Sequence, residues 1–198
     1  MKLNWVDARQ SSLRHFYRQF IQLGDLVFDI GANAGEMAAV FLELGAAVLA
    51  VESQPMMAAA LRQRFCNEKA SEIIRIAAAP KAIEVIQIEV KQIALDSLIV
   101  RHGVPNFIKI DAEGYEREII KTLTRRVSSL CFGAPIPHLD LALECLSDLA
   151  GRLGFTKFKY VMREDMNLLV SEWVDADGME AILRRLPIRT LACDVFAR

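Results

Sequence analysis

Asp29-Ile30-Gly31-Ala32-Asn33-Ala34-Gly35 joins an apolar run, Leu26 to Ile30, to a helix-like run, Glu36 to Leu44. Its two glycines permit backbone conformations that a Cβ obstructs and let a ligand lie against the main chain. About twenty residues on, a second apolar run, Ala47 to Val51, ends in Glu52-Ser53, where an acid can accept hydrogen bonds from both hydroxyls of a ribose. Loop and acid together predict a nucleoside site with Asp29, Gly31, Ala32, Asn33, Gly35, Glu52 and Ser53 as candidate residues. The Gly-x-Gly-x-x-Gly spacing that seats a pyrophosphate is missing, and Glu36 at the helix start disfavours a diphosphate while tolerating a cationic sulfonium. The loop therefore fits S-adenosylmethionine better than NAD, which leaves an NAD-binding oxidoreductase as the weaker reading.

A second cluster follows Leu95-Asp96-Ser97-Leu98: Phe107-Ile108-Lys109-Ile110-Asp111-Ala112-Glu113-Gly114-Tyr115-Glu116. At the carboxyl end of a strand Asp111 and Glu113 would face the same crevice as the Gly31 loop, where a carboxylate can take a proton or orient a hydroxyl. Glu116 and Glu118 read as a solvated helix start favoured by the dipole. Of the three histidines, His15 falls in the first helix and His102 in a loop, both solvated settings; His138, after Pro137, is the candidate base. Asp111, Glu113 and His102 also fit ordinary loop polarity, so no metal is assigned.

The elements that must hold these residues follow from periodicity. Leu13, Phe16, Tyr17, Phe20 and Ile21 make an amphipathic first helix, and Met57, Ala60, Leu61 and Phe65 repeat the pattern after Pro55, a residue suited to a first turn. Ile86, Ile88 and Val90 alternate as on a half-buried strand, and Phe107 to Ile110 is a short buried one. Ala142, Cys145, Leu146, Leu149 and Leu153 form a helical face ending at Gly154. Phe158, Tyr160 and Met162 alternate, Asp175 or Asp177 caps a last helix, and a strand around Leu191 to Ala197 closes the chain. Strands and helices alternate, which predicts an open, mainly parallel α/β sheet with helices on both faces and ligands beyond the carboxyl ends of its strands.

The two motifs together resemble the FkbM-type S-adenosylmethionine-dependent methyltransferases. Val27 to Gly35 is similar to that family's cofactor loop, and Leu95 to Leu98 with Ile108 to Gly114 is similar to its most characteristic block. The resemblance spans roughly residues 25 to 125. It implies the Rossmann-like class I methyltransferase fold, seven strands with the last antiparallel, and O-methylation of a hydroxyl on a small molecule or sugar. It also implies that Gly31, Asn33 and Gly35 line the methionine side of the cofactor, Glu52 the ribose, and Asp111 with Glu113 the boundary with the acceptor. The segment Cys66 to Ala94, with Ala77-Ala78-Ala79-Pro80 near the adenine-contacting turn, is shorter than in the family, and Gly133 stands where members often carry an acid. These departures keep a catalytically silent, methyltransferase-like binding module as the alternative.

The 198 residues are 53% hydrophobic and 25% charged with a net charge of −1, the composition of one globular domain: a helical extension over 1–24, a cofactor-binding core over 25–125 and the rest of the sheet over 126–198. No clustered basic excess points to nucleic acid, and neither a signal peptide nor a membrane span is expected. Cys66, Cys131, Cys145 and Cys193, without a C-x-x-C pair, read as reduced core thiols of a cytoplasmic protein. The exposed face of the first helix leaves room for a homodimer.

Overall fold

Leu26 to Ile30 and Phe107 to Ile110 have no polar alternation because both faces of these strands are covered, as central parallel strands require. They are β1 (Leu26–Ile30) and β4 (Phe107–Ile110) of a single sheet in a computed structural model that describes residues 5–66, 83–88, 93–162, 172–187 and 191–198. Its other strands are β2 (Ala47–Glu52), β3 (Ile83–Gln87), β5 (Ser129–Pro135), β6 (Phe158–Met162) and β7 (Ala192–Ala197). The helices are α1 (Trp5–Tyr17), α2 (Glu36–Glu43), α3 (Pro55–Arg64), α4 (Leu95–His102), α5 (Glu116–Lys121), α6 (Leu139–Ser147) and α7 (Ala176–Leu183).

The strand order is β3-β2-β1-β4-β5-β7-β6, and β7 runs antiparallel to both its neighbours. This is the Rossmann-like methyltransferase arrangement expected from the sequence. From β1 the chain moves outward through β2 and β3, then crosses back to place β4 on the other side of β1. The order thus reverses between β1 and β4, and a crevice opens there at their carboxyl ends. Register puts Asp29 beside Lys109 and Ile30 beside Ile110, so the loops after β1 and β4 leave the sheet side by side.

One face of the sheet is filled by α1, α2 and α3. Phe16 and Tyr17 pack edge-on against Phe196 and Phe41, and Phe20 stacks on Phe196 with centroids 4.9 Å apart. The regular helix stops at Tyr17, so Phe20 and Ile21 reach the core from the turn that follows. The other face is filled by α4 to α7. All five residues of the Ala142 to Leu153 stripe are buried, the last turns continuing as a π-helical segment over Asp148–Arg152 before Gly154 reverses at φ 71°. Asp175 caps α7 by accepting from the Gly178 N–H at 2.8 Å.

Three expectations need correction. Of the face expected for α3, Leu61 and the following Phe65 are buried and Met57 is half-buried, but Ala60 is exposed and Ala58 is buried in its place. Cys66 is exposed beyond the end of α3, whereas Cys131, Cys145 and Cys193 are buried free thiols. Glu116 is buried rather than solvated, for the reason given below. The Ala77 to Pro80 turn and Val90 lie outside the described residues. Among the described residues no helix is long and apolar enough to cross a membrane.

Candidate active site at the carboxyl ends of β1, β2 and β4

The loop after β1 is bent by two left-handed residues, Gly31 at φ 80° and Asn33 at φ 49°, and Gly35 at φ 80° turns it into α2. Gly31 and Ala32 both donate to the Val51 carbonyl, at 2.8 and 3.1 Å, which folds the loop back over β2. A Cβ on Gly35 would lie 2.6 Å from Leu61 Cδ2, so this glycine lets α3 pack under the loop, and Arg64 of that helix donates to the Ala34 carbonyl at 2.9 Å.

Glu52 sits at the end of β2, almost fully buried, and its carboxylate organises the crevice. Oε2 accepts the Asn33 N–H at 2.7 Å and Oε1 accepts the Gln54 N–H at 2.7 Å. Ser53 Oγ donates a third, long bond to Oε1 at 3.5 Å, and since a carboxylate offers about four acceptor positions, one remains for a ligand. Gly31, Asn33, Glu52, Ser53, Asp111 and Tyr115 are among the residues around a cleft of about 450 Å³. Asp29, Ala32 and Gly35 are buried and do not line it.

Across the cleft, the turn after β4 carries Asp111, Glu113 and Glu116. Glu113 is left-handed at φ 49° and is followed by Gly114 at φ 102°, a backbone path held by Glu116, whose carboxylate accepts the Ala112 N–H at 2.9 Å and the Gly114 N–H at 3.0 Å. Those bonds explain its burial, and burial raises its pKa above the ordinary carboxylate range. Asp111 is shared by three cavities: the cleft, a pocket of about 240 Å³ under α1 and a smaller one of about 160 Å³ reached by His138. Glu113 faces the first and third of these, and His138 only the third. His102 is the half-buried last residue of α4, not a loop residue.

The sequence reading gave no site role to Lys109, Asp194 or Tyr17, which share the pocket under α1 with Asp111. The available signal was one polar residue in each of three otherwise apolar strands, Asp29 in β1, Lys109 in β4 and Asp194 in β7. Lys109 Nζ lies 3.2 Å from Asp111 Oδ2. Burial works to lower the pKa of Lys109, but Asp29, then Asp111 and Asp194, outweigh it and hold the pKa above its ordinary value. The ammonium thus stays charged and is no base. Burial likewise pushes the Tyr17 phenol well above its usual range, keeping it a neutral donor.

Asp29 is fully buried, and its oxygens have no hydrogen-bond partner among the described residues. Burial pushes its pKa from 3.8 up to about 6; Lys109 opposes this, Asp111 and Glu52 reinforce it, and the nearby Ala38 N–H eases it slightly without hydrogen-bond geometry. Because the folded pKa is the higher one, the native state holds more protons than the unfolded chain between these values, and this group's contribution to stability falls as pH rises through that window. Asp29→Asn should remove that slope. Denaturant unfolding from pH 4 to 7 should show the variant gaining on the wild type between about pH 4 and 6; parallel curves would mean that Asp29 titrates normally.

Residues 65–133 match the Methyltransferase FkbM domain. The matched segment includes β3, α4, β4 with its Asp111 turn, α5 and β5 as far as Gly133, while the Gly31 loop lies upstream of it. No curated protein sequence matches the chain. Among solved structures it is similar to the precorrin-6y C5,15-methyltransferase of Geobacter metallireducens, with TM-score 0.57, 15% identity and coverage of 100% of this chain and 90% of that one. It is similar to Aeropyrum pernix fibrillarin, solved with S-adenosyl-L-methionine natively bound, with TM-score 0.59, 12% identity and coverage of 90% and 68%. A SAM-dependent O-methyltransferase of Thermotoga maritima follows, with TM-score 0.56, 13% identity and coverage of 96% and 64%. At such identities the likeness is one of fold.

Proposed function

We propose that this chain is an S-adenosylmethionine-dependent methyltransferase acting on a hydroxyl of a small molecule or sugar. The observation that carries the reading is the cleft at the β1/β4 reversal, with Glu52 keeping a spare acceptor position beside Ser53 and Asp111 opening it onto a second pocket. Its charged lining, Glu52, Asp111 and Glu113, suits a sulfonium and repels a diphosphate. Glu52 and Ser53 would hold the ribose, and Gly31 and Asn33 the methionine side. When bound, the cofactor supplies an electrophilic methyl group.

The protein's part is alignment, exclusion of water and proton acceptance. Asp111 faces both cavities, so its carboxylate can take the acceptor's hydroxyl proton, and Lys109 fixes its orientation. The buried free thiols Cys131, Cys145 and Cys193 support a cytoplasmic setting.

Calorimetric titration with S-adenosylmethionine tests this reading. The wild type should bind, and Glu52→Gln should lose roughly tenfold or more in affinity, because an amide cannot accept from both loop N–H groups and the ribose. A folded variant with undiminished affinity would remove Glu52 from the site. Binding without transfer to any acceptor would leave the silent module as the better description.

A further inference from the structure

Resting on that reading, we propose that the pocket under α1 is the methyl-acceptor site and that it selects two oxygens on adjacent carbons, a vicinal diol or its aromatic counterpart. One oxygen accepts from Lys109 while the other gives its proton to Asp111.

The first support is an unfinished hydrogen-bond inventory. Lys109 has a side chain only 7% exposed, and its ammonium carries three donors, yet among the described residues its one hydrogen bond is to Asp111 Oδ2 at 3.2 Å. Buried donors normally find partners, and here the pocket of about 240 Å³ opens onto this one. The second support is the pairing itself. A donor and an acceptor 3.2 Å apart match two neighbouring oxygens, one accepting and one donating, better than they match a lone hydroxyl.

The walls define the rest of the acceptor. Leu13, Phe16, Met37 and Met162 present apolar surface that suits the face of one ring, and Arg9 and Glu36, which line the same pocket, are paired with each other at 3.1 Å. The competing cavity by His138 is smaller, about 160 Å³, and the buried carboxylate it contains, Glu116, already accepts two backbone N–H groups.

The test uses the protein saturated with S-adenosylhomocysteine and four probes: catechol, cis-cyclohexane-1,2-diol, phenol and cyclohexanol. At least one diol should bind about tenfold or more tightly than its mono-hydroxy analogue, and which diol does so separates an aromatic from a saturated acceptor. Ser12→Trp, at the exposed mouth of the pocket, should abolish diol binding and leave S-adenosylhomocysteine affinity unchanged, while Leu141→Trp in the His138 cavity should leave diol binding intact. Lys109→Met combined with Asp29→Asn removes charge and counter-charge together, so that the fold survives, and should erase the preference for the diol. The proposal is overturned if S-adenosylhomocysteine binds but no diol is preferred, if Ser12→Trp still binds diol, if Leu141→Trp loses it, or if the double variant keeps the preference. Failure of the wild type to bind S-adenosylhomocysteine overturns the methyltransferase reading itself.

Discussion

Gly31→Val should lower the stability of the whole domain by about 2–5 kcal/mol, a large part of what a single domain has to spare. A Cβ at this position would sit 1.9 Å from the Asp111 carbonyl oxygen and 2.8 Å from its carbon, and both belong to the backbone at the end of β4. That backbone cannot give way without breaking the Asp111 N–H bond to the Ile30 carbonyl, 2.9 Å long, which ties the ends of β1 and β4 together. The left-handed φ of 80° adds strain for a β-branched residue. The glycine is thus required first by the neighbouring strand and only then by a ligand. Denaturant unfolding measures the effect, and a variant with a wild-type midpoint would show that the two loops do not approach this closely.

Asp111→Asn should slow methyl transfer by roughly 10²–10⁴-fold while leaving S-adenosylmethionine affinity nearly unchanged. Asparagine keeps the size of the side chain and a carbonyl oxygen for Lys109, but it cannot accept a proton from the acceptor hydroxyl. Single-turnover rates with labelled cofactor, measured alongside a calorimetric titration, separate the two effects. A variant with wild-type turnover would take the role of base from Asp111 and move it to Glu113 or His138, which line the cavity of about 160 Å³ with it.

What the sequence by itself determined was local. Leu26 to Ile30 and Phe107 to Ile110 are short runs, apolar but for Asp29 and Lys109, without the alternation of a half-exposed strand, and Pro55 marks the start of α3. Gly31 with Gly35, and the acid ending β2, marked the crevice because backbone conformation and strand ends are properties of a few consecutive residues. The identities of Asp111 and Glu113 as crevice residues followed from the same rule.

Only the tertiary structure decided which distant residues meet. Asp29, Lys109 and Asp194 stand in three strands far apart in the chain, and register across β1, β4, β5 and β7 puts them on one face. A lone lysine in Phe107-Ile108-Lys109-Ile110 carries no periodic signal, since its charge is offset by carboxylates that pairing, not spacing, supplies. Glu116 is a parallel case: its spacing reads as a solvated helix start, yet it is buried because the turn at Glu113 and Gly114 needs two acceptors for its N–H groups. The pocket under α1 likewise exists because Phe16 and Tyr17 anchor that helix on Phe196 and Phe41, contacts between separate parts of the chain that hydrophobic burial selects and no local pattern encodes.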